Sequence, residues 1–200
     1  MWLSTQLPIE LNNKWLLHND GSYRTLGNSI APLQYLYRTG LRYTANKNWA
    51  TAGGIAFFFN RTTFAKQLDE FTKEFRFWEE VNYTSPVEKK TQSLSRFRIE
   101  ERSFAASSIT TAYHAIRYRL RTQLQQTLSP KWAVQLSEEY MQQYAHGSLS
   151  FDQNRVFTSA VYSFTPKTKL VAGYMWVLRP QNASQHILSL NFQKTIVIHA

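Results

Sequence analysis

Arg96, Arg98 and Arg102 recur at even spacing with Glu100 among them, and Arg117, Arg119 and Arg121 follow in the next segment. Side chains alternate faces along an extended chain, so each set lies on one side of its strand. Paired as antiparallel neighbours, the two sets form a strongly positive wall. Like charges directly opposite destabilise a sheet, so carboxylates are required nearby. Glu74 and Glu80 on the preceding segment and Glu139 on the following one can supply them. Two chemistries fit this wall. Guanidinium forks take carboxylates bidentately and would close a narrow interior as a salt-bridged plug. A surplus of guanidinium would instead make an anion-preferring pore, or a pocket for a phosphate or carboxylate ligand.

A second constellation is His146-Gly147-Ser148, followed by Asn154. A histidine base beside a serine nucleophile, oriented by Asn154 or Glu139, is the arrangement of acyl hydrolysis. The pair falls in an expected loop, and Gly147 loosens it. Metal chemistry has no support, because the five histidines are scattered, cysteine is absent, and neither HExxH nor an EF-hand loop occurs. No P-loop or GxGxxG is present, so no cofactor is expected. Glu79 and Glu80 are adjacent and point to opposite faces of a strand, which rules them out as a catalytic dyad.

The elements that must position these groups are strands. Charged residues make up only 18% of the 200 residues, aromatics reach 15%, and the net charge is +10. Period-two alternation predicts strands near 2–11, 15–25, 33–44, 49–59, 69–84, 92–104, 113–128, 132–144, 152–164, 169–178 and 186–197. The connectors "NNK", "TANKN", "SPVEKK", "SPK" and "TPKT" are tight. Those around 26–32, 60–68, 105–112, 145–151 and 179–185 are longer. No run approaches the ~18 apolar residues of a spanning helix, whereas the strands match the ~9–11 tilted residues that cross a bilayer. Long strands, with short turns at one end and longer loops at the other, are the pattern of an antiparallel transmembrane β-barrel. The arginines then face a lumen that a duplex cannot enter, so nucleic acid is not an expected partner.

The tight turns carry a recurring corner. Trp15, Trp49 and Trp132 each follow small polar residues and a lysine. Tryptophan prefers the membrane interface and lysine the headgroups outside it. The three tryptophans are therefore expected on a periplasmic girdle, just where strands enter the membrane.

"YLYRTGLRYTANKNW", "RYRLRTQL" and above all "FDQNR" (Phe151 to Arg155) resemble an uncharacterised family of Gram-negative outer-membrane barrels, domain of unknown function 2490. The resemblance covers nearly the whole chain. It implies an outer-membrane barrel and brings no established activity. Leu188, Leu190 and Phe192 resemble the end signal read by barrel-assembly machinery, but "QKTIVIHA" follows, so the last strand continues or the tail is extra.

Eleven segments conflict with the even strand numbers usual for bacterial single-chain barrels. A merged or invented strand, a strand lost upstream of Met1, or a parallel closure of first on last strand would each account for this. The sequence thus predicts one all-β domain over 1–200, a barrel of about 10–12 strands in the bacterial outer membrane, its signal peptide presumed removed. Lipid and lipopolysaccharide are the expected partners, with a larger outer-membrane complex as a further one. A small channel, a structural barrel or an accessory subunit is the leading function. A lipid hydrolase using the His-x-Ser pair is the alternative.

Overall fold

The computed structural model describes residues 1–25, 31–61, 71–108 and 110–198. The strands are β1 (Trp2–Gln6), β2 (Ile9–Glu10), β3 (Trp15–Thr25), β4 (Pro32–Thr44), β5 (Trp49–Arg61), β6 (Phe71–Thr84), β7 (Thr91–Phe104), β8 (Tyr113–Thr127), β9 (Trp132–Ala145), β10 (Ser148–Thr165), β11 (Thr168–Leu178), β12 (Ser184–Lys194) and β13 (Ile196–Val197). The predicted loops around 26–32 and 60–68 lie largely outside the described residues, as does the start of the predicted 69–84 strand.

Each strand from β3 to β12 pairs antiparallel with the next. β1 and β2 form one stave interrupted at Leu7 and Pro8, and β12 and β13 form another interrupted at Thr195. The sheet is thereby a closed barrel of eleven staves. An odd number of alternating strands leaves the first and last running the same way. β1 accordingly pairs parallel with β12, Trp2 opposite Ser189, and β2 pairs parallel with β13, Ile196 opposite Ile9. This resolves the parity conflict: no strand was merged or invented, and the sheet closes on itself without one supplied from upstream. The tail after Phe192 is the last stave continuing.

The tight turns are built the same way three times. Asn12 Oδ1 accepts from the backbone N–H of Lys14 (2.9 Å) and Trp15 (3.0 Å), and Asn46 Oδ1 from Asn48 (2.9 Å) and Trp49 (3.0 Å). Ser129 Oγ does the same for Lys131 (3.4 Å) and Trp132 (3.2 Å). A polar side chain three residues before each tryptophan thus satisfies the donors of the turn. At the opposite end, the expected loop at 145–151 is a two-residue hairpin. His146 and Gly147 have φ of 51° and 80°, the left-handed pair that matches strand twist. The sequence hid this hairpin because β10 carries a bulge: Phe151 pairs with Gln142 and Gln153 with Met141, leaving Asp152 extra. The extra residue breaks the alternation.

The interior holds two apolar clusters. One comprises Ala52, Ala56, Phe58 and Trp78 with Leu36; the other Met175, Val177 and Ile187 with Trp2 and Phe157. Trp78 lies over Gly40, where a Cβ would stand 2.4 Å from its Cζ2, while a Cβ on Gly54 would meet the β4 backbone, 2.1 Å from Thr39 O. The bare backbone there lets the indole pack flat and donate its N–H to Ile55 O at 3.3 Å. The outer wall is apolar: Phe77, Phe97, Leu120 and Leu136 are 46%, 46%, 54% and 51% exposed.

Candidate functional site

Alternation along β3 to β10 delivers polar side chains to the interior in layers. Among the described residues eleven guanidinium groups point inward (Arg24, Arg38, Arg42, Arg76, Arg96, Arg98, Arg102, Arg117, Arg119, Arg121 and Arg155), against seven carboxylates (Glu10, Asp20, Glu74, Glu80, Glu100, Glu139 and Asp152). Arg96 stands opposite Arg121, Arg98 opposite Arg119, and Arg76 opposite Arg102. Glutamate bridges the last two pairs and holds Arg96, whereas Arg121 donates to Gln123 Oε1 at 2.7 Å and Ser137 Oγ at 3.2 Å. Glu74 Oε1 accepts from Arg76 Nε and Arg102 Nε, both at 2.6 Å. Glu80 takes Arg98 Nη2 at 2.6 Å. Glu100 meets Arg76 at 2.9 Å and Arg98 at 3.5 Å, and also binds Arg119. Glu139 accepts from Arg96 (2.5 Å) and Arg119 (2.8 Å), with Arg155 at 3.8 Å.

All ten residues expected in the charge cluster are therefore on one wall, and all but Arg121 share one ion-pair network. Sequence reasoning missed several members. Arg76 is one charge in a run of aromatics, and its role depends on cross-strand register. Arg38 binds Asp20 through both carboxylate oxygens, at 2.8 and 2.7 Å, a pair that only the β3–β4 register reveals. Asp152 reaches Arg117 at 3.0 Å because the bulge turns both Asp152 and Gln153 inward. Gln153 Oε1 then accepts from Arg155 Nε at 3.2 Å. "FDQNR" is the segment that reaims β10 and adds an acid, an amide and a guanidinium to the interior. A polar run interrupting a strand was the signal for it. Over this network, Phe104 and Tyr113 stack at 4.2 Å, with Arg102 4.6 Å from the Phe104 ring.

The His146, Ser148, Asn154 arrangement does not form. The His146 ring packs 5.3 Å from that of Tyr113, Ser148 Oγ donates to Ala145 O at 3.4 Å, and Asn154 Nδ2 donates to Glu138 Oε1 at 2.8 Å. Among the described residues no hydrogen bond joins the three. Glu139, the other proposed orienting group, is inside the barrel and 1% exposed. The two-residue turn sends the ring and the hydroxyl apart. A different serine and histidine do meet. Ser103 and His114 are direct partners across β7 and β8, with Ser103 Oγ 3.0 Å from His114 Nδ1 on the exposed outer face. Eleven residues separate them in sequence, so no local motif pointed to them.

Trp15, Trp49 and Trp132 lie at the tight-turn end, exposed on the outer wall. Each packs on a tyrosine directly opposite in register: Tyr43 at 4.8 Å, Tyr83 at 4.9 Å and Tyr162 at 4.8 Å. Glu138 faces outward as well. β9 keeps an unbroken register with β8 through this region, so no bulge turns Glu138 inward. Its partner Asn154 satisfies it there.

An apolar outer wall around a dense ion-paired interior defines a closed β-barrel turned inside out relative to a water-soluble sheet protein. Over residues 1–187 the sequence matches the family described as "Protein of unknown function (DUF2490)", and the chain belongs to that family. A search of curated proteins returned no match.

Proposed function

We propose that this barrel is an integral protein of the outer membrane of a Gram-negative bacterium, acting as a structural barrel or as an accessory subunit of a larger outer-membrane complex. The observation that carries this reading is the inversion of polarity. A continuous outer band of Phe, Leu and Tyr, edged by the three tryptophan–tyrosine corners, suits acyl chains and their interface. In water so large an apolar surface would drive association. Lipid and lipopolysaccharide are the immediate surroundings on this reading, with the tight turns in the periplasm.

The packed interior favours a plug over a pore. Arg98 and Glu100 are each 3% exposed, so the middle of the network is tightly filled, and an eleven-stave barrel is narrow next to porins of ~16–18 strands. The test is refolding in detergent followed by gel migration with and without boiling, then planar-bilayer recording. A faster-migrating unboiled form without conductance steps is expected. A chain that stays monomeric and soluble without detergent would sink the membrane assignment. Steady conductance would restore the channel.

One observation favours a second reading. The Ser103–His114 pair lies where an outer-leaflet lipid ester would pass, and Glu101 is the next outward residue on β7. His114 Nδ1 would take the Ser103 proton while Oγ attacks the ester carbonyl, releasing the alcohol and leaving an acyl-serine for water to hydrolyse. Incubation with phospholipid and lipopolysaccharide tests this. Fatty-acid release abolished by Ser103→Ala and by His114→Ala, but not by His146→Ala or Ser148→Ala, would support it; no release removes it.

A further inference from the structure

We propose that the interior holds, at its loop end, a binding site for a phosphate-type oxyanion, formed by the guanidinium groups of Arg24 and Arg155 around the indole of Trp2. The inward-facing guanidinium groups outnumber the inward carboxylates, and the surplus is unevenly placed. Arg24, Arg42 and Arg121 make no ion pair among the described residues, and of these only Arg24 shares an indole with a second guanidinium. Arg24 Nη1 donates to Gln34 Oε1, its Nε is buried without a partner, and among the described residues no carboxylate touches it. Gln34 is held in that pose by a relay: its Nε2 donates to Asn60 Oδ1, and Asn60 Nδ2 donates to Glu74 Oε2 at 3.3 Å. The relay therefore presents a neutral oxygen to Arg24 and leaves its charge uncompensated.

Arg155 is nearly as short of counter-charge. Its nearest carboxylate, Glu139, is 3.8 Å away and already bound at 2.5 Å by Arg96 and 2.8 Å by Arg119. The two guanidinium carbons lie 3.9 Å and 5.3 Å from the centroid of the same Trp2 ring. Two like charges at one indole repel each other more strongly in an interior than in water, and unpaired buried charge is costly. An anion between them removes both penalties.

The class of anion follows from the donors. Two guanidinium forks offer more N–H groups than one carboxylate can accept, whereas a tetrahedral oxyanion presents oxygens to both. Trp2 belongs to the apolar cluster with Met175, Val177 and Ile187, so that side of the site brings no competing acceptor. The Arg155 side chain is 12% exposed, so water and a small anion reach it. Because both groups face the interior, the anion comes from solution and not from a lipid headgroup.

The test is calorimetric titration of the full chain, folded in detergent, with inorganic phosphate at ionic strength held constant with chloride. Saturable binding displaced by sulfate is expected. Arg24→Gln and Arg155→Gln should each weaken it at least about tenfold, the loss expected when a charge-assisted contact is removed. Arg24→Lys, which keeps the charge without the fork, should fall between. Arg42→Gln, near the tight-turn end, should leave binding within about twofold. No saturable binding up to roughly 10 mM phosphate overturns the proposal. So does unchanged affinity in Arg24→Gln and Arg24→Lys, or an equal loss in Arg42→Gln, which would mark a bulk charge effect. The gel shift on boiling is read on every variant, so a failed barrel is distinguished from a folded barrel without the site.

Discussion

Replacing Glu139 by glutamine removes one charge and almost no volume from a carboxylate shared by three guanidinium groups. Glu139 is 1% exposed and neutralises Arg96 and Arg119 directly and Arg155 at longer range. Removing one partner of a buried ion pair costs about 3–5 kcal/mol, because the remaining charge stays desolvated. Here Arg119 keeps Glu100 and Arg96 keeps Glu80 at 3.8 Å. The lower end, about 3 kcal/mol, therefore applies, roughly a hundredfold in the folded-to-unfolded ratio. Urea unfolding of the refolded barrel, followed by tryptophan fluorescence, should show a lower midpoint with an unchanged slope. Glu101→Gln, on the outer face, should move it by no more than ~0.5 kcal/mol. In a double-mutant cycle, Glu139→Gln and Arg119→Gln should together cost less than the sum of the two. A loss below ~1 kcal/mol for Glu139→Gln would refute the reasoning, since it would mean that water reaches and solvates the network.

Three further outcomes follow from the same geometry. Gly54→Ala, whose Cβ would sit 2.1 Å from Thr39 O, must push β4 from β5; a loss of about 3 kcal/mol or failure to refold is expected on urea titration. Trp132→Ala removes the ring contact with Tyr162 and one interface anchor, and should cost about 0.5–1.5 kcal/mol by the same assay, with Trp15→Ala and Trp49→Ala alike. Deleting Asp152 removes the bulge and joins Phe151 directly to Gln153, so Phe151 stays outside opposite Gln142 while Arg117 loses its 3.0 Å carboxylate. The deletion should therefore retain the unboiled fast-migrating form, as should Asp152→Asn, and both should lower the urea midpoint because Arg117 loses a charged partner.

Most of the barrel was legible because its strands are long and one-sided. The alternation that puts Phe97 out and Arg98 in needs no knowledge of neighbours. The charge wall was legible for the same reason, since parity along β7 and β8 and adjacency in sequence were enough. Features set by register or by an inserted residue were not. The Asp20–Arg38 pair, the Ser103–His114 contact and the Trp–Tyr stacks depend on which residues face each other across strands. The bulge at Asp152 erased the alternation at the start of β10, so that a hairpin read as a loop and a polar stave read as a reactive motif. The parallel closure has no local signal at all, because Trp2 and Ser189 meet only through the whole sheet.

That closure also decides where the ends of the barrel sequence go. In an even-numbered up-and-down barrel the first strand starts at the rim where the last one finishes. Here β1 begins at the loop rim, beside Thr25, while β13 ends at the tight-turn rim, beside Glu10. Any segment joined ahead of Trp2 leaves from one rim, and any segment joined after Val197 leaves from the other. If the barrel spans a membrane as proposed, a peptide tag at the amino end would therefore report on one side of it, and the same tag at the carboxyl end on the opposite side.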